Sequence, residues 1–181
     1  MKAKTFASGL LGTAFIFVAL ATASPAVAND PVALEVQVDV PPTWGVFLAD
    51  DIAEAMTARV RETFRSHDYT GRIASVSAAD HRTDATPRLN LRLLDWHVGR
   101  TGHVDCTFSA GLTTADGKAH ALGLFTATEF TWGTRNRWQL SHAFERSAES
   151  ALDRLWQKLE REGLTNALQA PPLSPTAVPM S

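Results

Sequence analysis

The chain is poor in the groups that usually announce a chemistry. Among its 181 residues there is one cysteine, Cys106. A lone cysteine cannot close an internal disulfide, so it is either a buried thiol or an intermolecular link. No G-x-S-x-G, H-E-x-x-H, P-loop or dinucleotide-binding fingerprint occurs anywhere, which removes the motif-bearing hydrolases, metalloproteases and nucleotide enzymes from the leading readings. There is no basic excess either, with 17 Lys and Arg against 19 Asp and Glu. Nucleic acid and anionic membrane surfaces are therefore poor partners on charge grounds. Internal repeats are also missing.

What is present begins with an export pattern. Lys2 and Lys4 form a basic head, Thr5 to Ala23 is an uncharged run of small and apolar residues, and Ala26-Val27-Ala28 is an A-x-A site. Those three parts in that order describe a secretory signal peptide over 1–28. Pro25 and the A-x-A site argue for cleavage after Ala28 over a retained anchor, leaving no membrane span in the mature chain. No cysteine follows the site, which closes the lipoprotein route. The mature chain, Asn29 to Ser181, has 153 residues, with 15 basic against 19 acidic groups and a net charge near −4. That length suits one domain and buries about two-thirds of its unfolded surface without a disulfide.

Periodicity then lays out the elements. Leu34, Val36, Val38 and Val40 alternate with Glu35, Gln37 and Asp39, the mark of a half-buried strand, and Pro41-Pro42 ends it. Leu48, Ile52, Met56, Val60 and Phe64 recur at helical spacing from about Trp44 to His67, with Ala55 widening the stripe and acids early and arginines late. A short strand is expected over 72–79. Ala79 to Pro87 is a polar loop.

Arg88 to Phe130 reads as three consecutive antiparallel strands joined by turns at Gly99–Gly102 and Ala115–Gly117. The alternation changes phase at Leu93-Leu94, which suggests a β-bulge or a strand covered on both faces. One even-numbered register then buries Trp96, Val104, Cys106, Phe108 and Leu124 together, with Cys106 opposite Leu94 and Phe108 opposite Leu124. Trp132 to Trp138 is expected to be a loop. Ser141 can cap a second helix from about His142 to Glu162, carrying Phe144, Ala148, Ala151, Leu152, Leu155, Trp156 and Leu159 inward, and Gly163 suits its left-handed cap. Residues 164–181, with four prolines, read as a disordered tail. The expected fold is thus α+β, in the order β-α-β-β-β-β-α. It is a single domain over 29–163, an antiparallel meander with both amphipathic helices packed on one face.

Two constellations could carry function. In the register above, Asp95, His97, His103 and Asp105 share the polar face of one hairpin, His97 facing His103 and Asp95 facing Asp105. Opposed β-carbons in a sheet lie about 5 Å apart, so two imidazoles and a carboxylate could begin a shell for zinc or another divalent transition metal. The plain alternative is a solvated polar face with offset charges and no cofactor. The second constellation is Trp132, Arg135, Arg137 and Trp138. Tryptophan and arginine dominate binding hot spots, and arginine grips carboxylates or phosphates with two hydrogen bonds. The alternative there is that the tryptophans fold inward and the arginines are merely solvated. Cys106, mid-strand on the apolar face, is suited to packing, since burial raises a thiol's pKa.

At WHVGRTGHVDCTFSAGL the chain resembles uncharacterised exported proteins of Gram-negative bacteria, chiefly through Val104 to Ala110. In architecture it is similar to small envelope lipoproteins such as the lipopolysaccharide-assembly lipoprotein, departing from them in having no cysteine to lipidate. The resemblance implies a compartment, the periplasm, and non-catalytic assistance to an envelope complex; it assigns no site residues. The expectation is a periplasmic accessory or binding protein whose partner is another envelope protein or an anionic envelope glycan. A small metal-binding protein or metal-dependent enzyme is the alternative.

Overall fold

A computed structural model describes residues 32–77, 80, 86–131 and 136–168. The expected signal peptide, and residues 169–181 of the expected tail, lie outside the described residues. The order is β1 (Val32–Asp39), α1 (Val46–Ser66), β2 (Arg72–Val76), β3 (Arg88–Val98), β4 (His103–Thr113), β5 (Ala119–Phe130) and α2 (Arg137–Arg161). This is the α+β order the periodicities imply. The five strands form one sheet in the order β2-β1-β3-β4-β5. β3, β4 and β5 are the expected meander, whereas β1 lies between β2 and β3 and runs parallel to both, so the sheet is mixed.

The core lies between the sheet and the two helices. Leu34 and Val36 of β1, Met56, Val60 and Phe64 of α1, Leu89, Leu91 and Leu93 of β3, Cys106 and Phe108 of β4, and Leu152, Leu155 and Leu159 of α2 are all sealed from water. Full burial of such a side chain contributes about 1.5–3 kcal/mol. Leu48, the first residue of the α1 stripe, is instead exposed, and so is Ala55. On the opposite face Glu35 and Arg88, neighbours across β1 and β3, make a buried ion pair. Arg88 Nε donates to Glu35 Oε2 at 2.9 Å, and Nη2 stands 2.8 Å from the same oxygen at an angle unsuited to a hydrogen bond.

Two bulges set the meander's register. The first, at Leu94, falls where the two leucines signal it, and turns Leu94 outward while Trp96 comes opposite Cys106. The second lies between Ala121 and Gly123 of β5, where Gly123 takes a φ of +103°. A bulge slips the side-chain alternation by one residue. Beyond it Phe125 and Ala127 point into the core and Leu124 points out, 62% exposed. Phe108 therefore packs against Phe125, ring centroids 5.6 Å apart, and not against Leu124.

Both hairpins close with the same three-residue loop. The N–H of Gly102 donates to Gly99 and that of Gly117 to Thr114, and each glycine has a positive φ, +84° and +83°. A type I turn followed by a left-handed glycine is a common hairpin closure. The first loop sets Val98 opposite Val104, and so puts His97 opposite Asp105 instead of His103.

The start of α2 and the beginning of the tail differ from expectation. α2 begins at Arg137, because the side chain of Asn136 accepts from the N–H of Gln139 at 2.8 Å and caps the helix five residues before Ser141. Asparagine and serine are comparable caps, and the earlier one is used. Arg137 and Trp138 are thereby helical, not part of a loop. At the other end the chain does not fall away at Leu164. Thr165–Leu168 form a 3-10 turn, Leu168 is buried, and the hydroxyl of Tyr69 donates to its carbonyl at 2.9 Å.

Candidate binding groove

β5 ends at Phe130, and α2 starts six residues after Thr131. Because the second bulge turns the even positions of β5 outward, Phe130 is 58% exposed. Because Asn136 starts the helix early, Trp138 projects from its first turn and is 71% exposed. Between them lies a groove of about 420 Å³ lined by Phe130, Thr131, Trp138, Gln139, His142 and Arg146. Trp138 stands edge-on to His142 with ring centroids 4.3 Å apart, and Phe130 lies 6.1 Å from the ring of His103. Such contacts hold the rings in place while leaving area to solvent. Arg146 meets Glu129 at 3.4 Å, and His142 meets Glu145 at 3.2 Å. The sequence pointed to half of this site, through Trp138. It missed Phe130, which the even-numbered register turns inward with Leu124, because the signal for the phase change is the isolated Gly123 within an otherwise regular strand. Arg137 is exposed at the first position of α2. Trp132 and Arg135 lie outside the described residues.

The four hairpin residues share the open face as two pairs. His97 Nδ1 is 2.5 Å from Asp95 Oδ1, and His103 Nε2 is 3.0 Å from Asp105 Oδ2. Their remaining contacts are local. His103 Nδ1 is 2.5 Å from Thr101 Oγ1, and Thr128 donates to Asp105 Oδ1 at 2.6 Å. Among the described residues no group of three or more His, Cys, Asp or Glu is placed to hold a metal ion. Gly99 is a condition of this arrangement, since a β-carbon there would stand 2.2 Å from the His103 ring.

Cys106 is buried behind this face, and burial, with the charge of Asp95 adding, pushes its thiol up to about 12. A thiol so held is protonated at neutral pH and is not a nucleophile. Among the described residues no helix is long and apolar enough to cross a membrane.

No protein-family model matches this chain, nor does any curated protein. Solved structures do. An uncharacterised protein is similar with a TM-score of 0.51 and 12% identity, over 72% of this chain and 95% of its own. The likeness is one of fold. A Xanthomonas campestris protein of the DUF330 family is similar at a TM-score of 0.42 and 17% identity, over 78% of this chain and 93% of its own. A dodecamer of PelC from Paraburkholderia phytofirmans gives 0.44 and 16%, over 68% and 88%. At these values neither bears on function.

Proposed function

We propose that the chain is an exported, non-catalytic binding or accessory protein of the cell envelope, working in the periplasm. Its partner, another envelope protein or an anionic envelope glycan, sits in the groove between β5 and α2. The observation that carries the reading is the joint exposure of Phe130 and Trp138 across one groove with Arg146 at its side. Large apolar rings rarely stay in water in company unless something covers them, and aromatic and arginine anchors supply most of the energy of an interface. The export pattern of residues 1–28 supports the compartment.

A photo-crosslinking residue at Gln139, exposed in the lining, tests the reading. Exposed to the cell's own envelope, the full chain should give a discrete adduct that weakens in Phe130→Ala and Trp138→Ala. Adducts of undiminished yield in both variants would end it. N-terminal sequencing of the protein recovered from the periplasm should begin at Asn29.

A further inference from the structure

Among the described residues the lining of the groove contains no acidic side chain, and Glu129 and Glu145 meet its Arg146 and His142 from outside it. The first turn of α2 has no acidic residue either, so the positive end of that 25-residue helix lacks its usual compensation. Arg137 stands there and makes no ion pair among the described residues. Arg146 reaches Glu129 through Nε alone, at 3.4 Å, which leaves the rest of its guanidinium fork for a carboxylate. Gln139 adds an amide between the two aromatic walls, and the Thr131 hydroxyl, which already donates to the Gly102 carbonyl, adds an acceptor. The volume falls within the range of about 300–1,000 Å³ usual for sites that take small ligands.

The ligand that matches has flat apolar faces, a rim of hydroxyls and a carboxylate. A peptide fits less well. Peptides dock by adding a strand to a sheet edge or by laying a helix along a groove. The edge of β5 already has the Thr126 carbonyl taken by Arg154, and the groove spans little more than the first turns of α2. We infer that the groove is a site for an acidic oligosaccharide, with ring faces on Phe130 and Trp138 and a sugar carboxylate on Arg146 beside the start of α2. The inference rests on the binding reading above and narrows it to one ligand class.

Trigalacturonate serves as the probe, titrated into the full chain by calorimetry with tryptophan fluorescence in parallel. A neutral galactose trimer and triglutamate are the comparisons. Trigalacturonate should bind saturably, at least tenfold more tightly than the neutral trimer, and more weakly as salt rises. Trp138→Ala and Arg146→Gln should each lower affinity roughly tenfold, with unchanged circular dichroism, while Leu48→Ala, on the exposed start of α1, should have no effect. Equal binding of the neutral trimer, equal or tighter binding of triglutamate, unaltered affinity in both groove variants, or no binding of trigalacturonate would each overturn the inference. If trigalacturonate fails while the envelope adduct at Gln139 still depends on Trp138, the glycan is wrong and the binding role stands. If the adduct is indifferent to Phe130 and Trp138, both fall.

Discussion

The Cys106 thiol couples stability to alkaline pH. In the folded protein its pKa is pushed up to about 12, whereas the unfolded chain ionises it near 9.0. Between those values the unfolded state binds fewer protons than the folded one, so stability falls as pH rises. Tyr69, pushed up from 10.0 to about 12 by burial, acts in the same direction over the upper part of that window. For Cys106 the loss is about 1.4 kcal/mol per pH unit above its unfolded value. Calorimetric melting from pH 8 to 11 should show the decline, and it should be shallower in Cys106→Ala, even though that variant starts lower because of the small cavity. An equally steep decline in the variant would remove the thiol from the account. Iodoacetamide should leave Cys106 unmodified in the native protein at pH 8 and label it after denaturation.

Both helices end in the same hydrogen-bonded turn, with different residues at its strained position. After α2, Gly163 has a φ of +67°, its N–H donates to Glu160, and the N–H of Leu164 donates to Leu159. After α1, Asp68 has a φ of +62°, its N–H donates to Arg65, and the N–H of Tyr69 donates to Phe64. Glycine takes that conformation without a β-carbon penalty, and an acid at a helix C-terminus opposes the dipole. Asp68→Gly should therefore stabilise the protein by about 0.5–1 kcal/mol, a rise of about 1–4 °C in melting temperature. A fall would show that the Asp68 side chain contributes more than its strain. The Gly163 end was legible because glycine is the usual signal there. At α1 the end near His67 was expected, but the left-handed position at Asp68 was not, because the apolar stripe stops at Phe64 and says nothing of the solvent-facing turn beyond it. The start of α2 was misplaced for a similar reason. Ser141 and Asn136 are equally good caps, and the 3.6-residue pattern of the core face is silent on turns that face solvent.

The strand alternations were enough to give the order of elements and the common face of the helices. They did not show that β1 runs parallel between β2 and β3, a choice set by contacts distant in sequence. Nor did they give the register of His97 against Asp105, which hangs on one residue of loop length. The same long-range geometry governs the two strands at the ends of the sheet among the described residues, β2 and β5. Unpaired edge strands invite pairing with other chains. Here each helix sends an arginine to an edge: Arg61 of α1 donates to the Ile73 carbonyl of β2 at 3.3 Å, and Arg154 of α2 donates to the Thr126 carbonyl of β5. These contacts are partly solvated, so removing one should cost under about 1 kcal/mol. Their effect should appear in association instead. The double variant Arg61→Ala, Arg154→Ala should melt within a few degrees of the parent, yet scatter more light and elute larger as its concentration rises. If the variant stays at the parent's size across the same concentrations, the arginines do not guard the edges.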